Sequence, residues 1–211
     1  KITVHLESTP ETVEGFVGQF KTTLNGNGKG NRVLEHGTAI IATGARESKP
    51  TEYLYGQDER VVTGQEFEKL LRDTPAEHLP GRVVFIQCVG SREEGHMYCS
   101  RVCCRESIKN ALSLKKSKPE AEVYILFRDI RAYGFSESYY QQARDAGVSF
   151  LRYDPEAKPV VEKKGAKLLV SVKDIQSGEM IQIAEPDALV LAARIDAEPG
   201  NEAVSQLFKV P

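Results

Sequence analysis

The sequence predicts an α/β protein: a Rossmann-like nucleotide-binding domain with an antiparallel β-meander, plus part of a second domain of the same outline. Three observations predict it. Residues 82–152 alternate strand and helix patterns in the order βαβαβ. Three short alternating runs and then a continuously apolar strand follow. The same order of meander and apolar strand also occupies residues 1–44.

Taken from the beginning, Ile2, Val4 and Leu6 alternate with polar residues and predict a half-buried strand. "FVGQFKTTL" predicts a second strand, and the cluster "NGNGKGN" (25–31) predicts the turn that closes a hairpin. "RVLEHGTAIIATG" predicts a third, with residues 39–42 continuously apolar, as in a parallel strand covered on both faces. "ARESKPTEYLYGQDERVV" reads as loop. Thr63 followed by Glu66 is a capping-box signature for a helix whose apolar face is Phe67, Leu70 and Leu71. The Pro-rich "DTPAEHLPG" (73–81) reads as a linker and domain boundary.

Beyond it, residues 83–87 predict a buried strand and residues 100–116 a helix with Val102, Ile108, Ala111 and Leu112 on its apolar side. Residues 123–127 predict the next strand. "SESYYQQARDAG" predicts a helix with Ser136 as cap and Gly147 as stop. "VSFLRY" is a third strand, and "PVVEKK", "KLLVSVKD" and "EMIQIA", separated by Gly165 and Gly178, are a second meander. "DALVLAARI" predicts a last buried strand.

The composition is that of an ordinary globular protein, with 40% hydrophobic and 27% charged residues. A net charge of −2 gives no reason to expect nucleic acid or an anionic membrane as partner. No apolar run approaches the roughly 18 residues of a membrane span, so a cytoplasmic location is expected. Because the chain opens on Lys1 directly into a strand-like run and stops at "LFKVP", we read it as a piece of a longer protein.

All four cysteines lie in "CVGSREEGHMYCSRVCC", at positions 88, 99, 103 and 104. Cys88 ends a predicted strand and the other three open a predicted helix, where Cys99 and Cys103, four apart, are expected on one face. A helix N-terminus favours thiolates, and Arg101, Arg105 and Lys109 add positive charge. Three readings stand open. Two disulfides suit adjacent Cys103 and Cys104 poorly. Structural zinc usually takes paired C-x2-4-C knuckles, of which only one is present. An iron–sulfur cluster also takes four thiolates, tolerates irregular spacing and is favoured. His96 reads as a solvated loop residue. The stretch also occupies the strand-to-helix turn where a dinucleotide-binding unit carries G-x-G-x-x-G. It is too long and bulky to cradle pyrophosphate, so a metal-cluster site has taken the place of a nicotinamide-nucleotide site. Arg128 and Arg131 follow the second strand, where 2′-phosphate ligands would sit; with the phosphate turn gone, a structural or electrostatic role is favoured. Tyr53, Tyr55, Tyr139 and Tyr140 read as packing residues.

"FIQCVGSR…YCSRVCC" followed by a helix, "RDIRAYG", and "IIATGARESKPTEYLYG" together resemble the HdrA-like component of heterodisulfide reductase, its A subunit. That family comprises FAD and iron–sulfur flavoproteins of methanogens and of sulfate-reducing and related anaerobes. The resemblance covers essentially the whole chain but only the middle of a longer family chain. It implies a fold of thioredoxin-reductase type: an FAD-binding domain interrupted by a nicotinamide-domain-like insertion. The expected division is a partial FAD-binding domain over 1–80, the insertion over 81–192 and a return segment over 193–211. The resemblance further implies a [4Fe–4S] cluster on Cys88, Cys99, Cys103 and Cys104. It places Ala42, Thr43, Gly44 and Ala45 near FAD, where Gly44 lets the backbone pass close to the cofactor. The second flavin-contacting turn of the family corresponds to Ala192-Ala193-Arg194, which lacks the usual Gly, and no G-x-G-x-x-G occurs in the chain. The implied role is that of an oxidoreductase component that transfers electrons, with FAD as the branching point of bifurcation; the piece alone is expected to be inactive. Implied partners are the B and C subunits, a hydrogenase- or formate-dehydrogenase-linked electron donor, and a second copy of the longer protein. A zinc-stabilised interaction module and an NAD(P)H-dependent flavoprotein disulfide reductase are the alternatives.

Overall fold

The computed structural model describes residues 1–26 and 30–210. In chain order they form β1 (Thr9–Phe16), β2 (Gln19–Asn25), β3 (Arg32–His36), β4 (Ala45–Glu47), β5 (Val61–Thr63), α1 (Gly64–Asp73), β6 (Arg82–Val89), α2 (Cys103–Ser117) and β7 (Glu122–Phe127). These are followed by α3 (Glu137–Asp145), β8 (Ser149–Arg152), β9 (Val160–Lys164), β10 (Lys167–Lys173), β11 (Met180–Ala184), β12 (Ala188–Ala193), β13 (Ile195–Ala197) and α4 (Asn201–Phe208). The chain divides into two compact units. One is Lys1–Arg46 with Ala197–Pro211, the other Glu47–Asp196. No helix among the described residues is long and apolar enough to cross a membrane.

The first unit holds the antiparallel sheet β1-β2-β3 and α4. Here the chain departs from the sequence pattern in three ways. The alternating Ile2, Val4 and Leu6 stay outside any strand and are all more than 70% exposed, because no neighbouring strand accepts their backbone groups. The run "FVGQFKTTL" is not one strand: Val17-Gly18 turns the chain between β1 and β2, with Gly18 at φ 95°. Residues 39–42 are not a buried strand but an exposed coil, with Ile40 91% exposed. An apolar run becomes a parallel strand only between two neighbours, and no described strand flanks this one. The turn expected over 25–31 falls partly outside the described residues.

The second unit is built on a five-stranded parallel sheet in the order β5-β12-β6-β7-β8. β6, α2, β7, α3 and β8 form the expected βαβαβ run, and the meander β9, β10, β11 leads into β12. Period-2 alternation then assigns the two faces. Val83, Phe85, Val123, Ile125 and Val190 pack against Phe67 of α1, Ile108, Ala111 and Leu114 of α2, and Ala143 of α3. Val84, Ile86, Leu126, Leu189 and Leu191 pack against Leu168, Val170, Val172 and Ile183 of the meander. Every residue of β12 is buried, which is why it reads as continuously apolar.

α1 begins with the expected capping box. Glu66 N–H donates to Thr63 Oγ1 at 3.4 Å, and Thr63 N–H donates to Glu66 Oε2 at 2.9 Å. The stretch before it is not all loop: Val61–Thr63 is an edge strand, too short for periodicity to reveal. Residues 73–81 lie within the second unit. Ser136 precedes α3, but its side chain makes no cap hydrogen bond; a 3-10 turn (Gly134–Ser136) leads into the helix instead. Gly147 ends it at φ 80°.

Candidate metal centre

β6 delivers Cys88 to the carboxyl end of the parallel sheet, where open α/β sheets place their ligands. The ladder ends there. β6 pairs with β7 only as far as Ile86, and its register with β12 shifts between Leu191 and Ala193. Cys88 takes a left-handed φ of 64° and Gly90 one of 67°, so the chain leaves the sheet abruptly. The carbonyl of Gln87, at the irregularity, accepts from the Tyr153 hydroxyl at 2.8 Å.

The loop that follows is held by its own backbone and by side chains of the second unit. Arg92 N–H donates to the carbonyls of His96 (2.7 Å) and Tyr98 (3.2 Å), and His96 N–H donates to Glu93 O at 2.9 Å. Tyr98 Oη donates to Asp196 at 3.0 Å, and Ser100 Oγ accepts from Ile195 N–H at 2.9 Å. Arg128, nearly buried, donates to Arg92 O at 3.1 Å and Glu93 Oε1 at 2.8 Å. The Arg92 guanidinium hydrogen-bonds to Asp129, whose backbone carbonyl accepts from Cys104 Sγ at 4.0 Å, and the Arg92 charge acts on Cys88. Arg92 itself holds a left-handed φ of 61°.

α2 begins at Cys103 rather than near residue 100, which corrects the expected placement of Cys99. Arg101 takes a left-handed φ of 64° and breaks the helix there, so Cys99 and Cys103 do not share a helix face. Cys99 is half-buried in the loop and accepts from Arg101 N–H at 3.4 Å. Cys103 and Cys104 occupy the first turn of α2, whose leading N–H groups have no side-chain cap.

All four thiols are unpaired, and Cys88, Cys103 and Cys104 are buried. Interaction with the adjacent Cys104 thiol, with burial, holds the Cys103 thiol well above its ordinary range. The same interaction draws the Cys104 thiol down, against the opposing effect of burial. Burial pushes Cys88 up, and Cys104 reinforces it. Cys88, Cys99 and Cys104 thus all act electrostatically on Cys103. Among the described residues no three His, Cys, Asp or Glu side chains are gathered closely enough to hold a metal ion. The donor set fits an iron–sulfur cluster in kind: four sulfurs on one strand-to-helix turn, at an uncapped helix N-terminus beside two arginines.

The other expected residues lie elsewhere. Ala42, Thr43, Gly44 and Ala45 are exposed in the first unit; Gly44 has φ 73°, with open space where a Cβ would stand. A positive φ of this kind is one that glycine adopts without strain. Ala192 and Ala193 are buried in β12, and Arg194 pairs with Asp196 at 2.8 Å. Arg131 lies 3.8 Å from Asp129. His96 stacks edge-on against Tyr98. Tyr140 packs on Phe150, Tyr55 donates to Glu66, and Tyr139 is exposed. Tyr53 and Tyr153 line a cavity of about 240 Å³ with Gln87, Cys88, Glu93 and Arg128. The roles of Arg92, Asp129 and Tyr153 were not readable from local pattern: their partners lie 4 to 66 positions away and follow from the fold.

No family model matches the chain. It is 41% identical over 194 residues to the A subunit of the H2/formate:CoB–CoM heterodisulfide, ferredoxin reductase of Methanococcus maripaludis, covering 84% of this chain and 29% of the relative. It is 39% identical over 194 residues to the iron–sulfur A subunit of the CoB–CoM heterodisulfide reductase of Methanocaldococcus jannaschii, covering 83% and 29%. It is 32% identical over 219 residues to the A subunit of the ferredoxin:CoB–CoM heterodisulfide reductase of Methanosarcina acetivorans, covering 84% and 27%. The chain therefore spans less than a third of the length of these relatives. Among solved structures, Lactococcus lactis thioredoxin reductase shares the fold at 19% identity and a TM-score of 0.50, over 95% of this chain and 56% of that one. The ornithine N-hydroxylase of Kutzneria sp. 744 shares it at 15% identity and a TM-score of 0.50, over 92% and 55%.

Proposed function

The chain belongs to the family of heterodisulfide reductase A subunits, and from that premise we propose that it is an electron-transferring segment of such an oxidoreductase. In this reading it holds one [4Fe–4S] cluster on Cys88, Cys99, Cys103 and Cys104, and the Ala42, Thr43, Gly44 and Ala45 backbone meets an FAD. The observation that carries the reading is the position of the thiols: every cysteine of the chain lies between the end of β6 and the first turn of α2.

Such a cluster, when bound, accepts and donates single electrons. The protein's own contribution is to hold and neutralise its ligands. Cys88 is fixed by the end of β6, and Cys103 and Cys104 sit in the first turn of α2, at the positive end of its dipole. Arg92 and Arg128 add positive charge beside Cys88. The 89–102 loop brings Cys99 toward this end of the sheet, and closing it on a cluster would draw the sulfurs together. The same turn argues against a nicotinamide nucleotide: Arg92, Glu93 and Tyr98 fill the place where bare glycine backbone would face pyrophosphate.

The relatives' names link them to hydrogen, formate or ferredoxin on one side and to the CoB–CoM heterodisulfide on the other. By analogy this chain works in the cytoplasm inside a complex with B- and C-type subunits and an electron-donating hydrogenase or formate dehydrogenase. Metal and sulfide analysis of anaerobically prepared protein tests the reading, together with the EPR spectrum after reduction. About four irons and four sulfides per chain are expected. One zinc without sulfide would instead make the turn a structural zinc module. Micromolar binding of a nicotinamide nucleotide would revive the reductase alternative.

A further inference from the structure

Arg92 is held from every side. Its N–H is spent on His96 O and Tyr98 O, at 2.7 and 3.2 Å. Its carbonyl accepts from Arg128 Nη1 at 3.1 Å. Its guanidinium is drawn to Oδ1 of Asp129, on the β7 side of the cleft; the Asp129 backbone carbonyl accepts from Cys104 Sγ at 4.0 Å, and the Arg92 charge acts on Cys88. Its left-handed φ of 61° is a strained state for a residue with a Cβ, and it persists only because these contacts over-determine it. Arg128 is anchored in turn. It is nearly buried, its second nitrogen donates to Glu93 at 2.8 Å, and its plane lies 6.0 Å from the Tyr153 ring centre. Its own carbonyl accepts from Arg152 Nε at 2.9 Å. The result is a lattice from β7 and β8 that holds a positive charge beside Cys88 and Cys104.

We propose that Arg92, positioned by Arg128 and Asp129, is the residue that sets the reduction potential of the redox centre on Cys88. The inference rests on the cluster reading above and adds a residue to it. Reduction adds one negative charge to a cluster and its thiolate ligands. A charged donor on a ligand sulfur stabilises the reduced form more than the oxidised form, which raises the potential. Arg92 therefore acts on electron affinity through Cys88.

The test is an EPR-monitored redox titration of the anaerobically prepared protein, wild type against R92Q, R92K and D129N, with iron content and thermal melting measured beside it. R92Q removes the charge and is expected to lower the midpoint by at least about tenfold in the reduction equilibrium, about 59 mV for one electron. R92K keeps the charge and is expected to lie between R92Q and wild type, a graded result that a purely structural role would not produce. An R92Q protein with wild-type iron content and an unchanged midpoint overturns the proposal while leaving the cluster reading intact. Should R92Q not retain iron, R92K and D129N carry the test: a midpoint lowered in R92K, or raised in D129N where the counter-charge of Arg92 is gone, supports the proposal, and an unchanged midpoint in both overturns it. A wild-type protein without iron overturns both.

Discussion

Tyr153 offers a quantitative check on how the site is held. Its side chain is buried, with the residue 2% exposed, and its hydroxyl donates to the Gln87 carbonyl at 2.8 Å. That carbonyl lies where β6 loses β7 as a partner: the ladder to β7 stops at Ile86, and the register with β12 slips between Leu191 and Ala193. Tyr153→Phe keeps the ring, its packing against Leu126 and Val84 in the same cluster, and its contact with Arg128. It deletes only the hydroxyl. The loss has two parts: the net value of one neutral hydrogen bond, about 1 kcal/mol, and the cost of leaving a buried carbonyl unpaired, about 1–3 kcal/mol. These overlap, so the expected destabilisation is about 2 kcal/mol. For a unit of this size that lowers the melting temperature by roughly 4–8 °C. Urea unfolding followed by far-UV circular dichroism reads it directly as a shift of midpoint at unchanged slope. A loss below about 0.5 kcal/mol would refute the reasoning, because it would mean that the Gln87 carbonyl is satisfied without Tyr153.

The remaining predictions concern the scaffold. Glu66→Ala removes the reciprocal half of the capping box, the 2.8 Å hydrogen bond from Tyr55 and an exposed ion pair with Lys49. Cap and hydrogen bond contribute about 1 kcal/mol each and the exposed pair little, so chemical denaturation should show a loss of about 2 kcal/mol. Leu189→Ala empties the centre of β12, where Leu189 is fully buried between β5 and β6, and should cost about 3 kcal/mol in the same assay. Asp58 is buried and receives Arg60 at 2.8 Å through both Nε and Nη2 and Lys163 at 2.8 Å; the Arg60 hydrogen bonds, foremost, hold its carboxyl well below the ordinary range. A folded-state pKa below the unfolded one means that its stabilisation is complete above about pH 4 and is lost as pH falls further. Melting temperatures of wild type and Asp58→Asn should therefore differ at pH 6 and converge below pH 4; a constant difference across that range would contradict the assignment.

The parallel sheet was legible because strands covered on both faces must be apolar throughout. Residues 83–87, 123–127 and 188–193 say so without reference to anything else. The capping box at Thr63 was legible because both of its bonds are local. Residues 39–42 carry the same apolar signal as β12, but hydrophobicity does not state what covers a segment, and here the run is exposed. Val61–Thr63 escaped because three residues hold too little of a period. In the site, the identity and grouping of the thiols were plain from spacing. The break at Arg101, which takes Cys99 off the helix, was not, since a left-handed arginine is imposed by its loop and not by its own preference. The Arg92, Arg128 and Tyr153 lattice could not be read from pattern at all: Arg128 meets Arg92 across 36 positions and Tyr153 meets Gln87 across 66.

The central claim is that four thiols on one turn hold a single cluster. Iron and sulfide content of four single variants, Cys88→Ser, Cys99→Ser, Cys103→Ser and Cys104→Ser, prepared anaerobically beside wild type, tests it most directly. The account predicts about four irons and four sulfides in the wild type and a lost or degraded cluster in every variant, Cys99→Ser included although that thiol stands on the loop. Full iron and an unaltered EPR spectrum in any one of the four would contradict it.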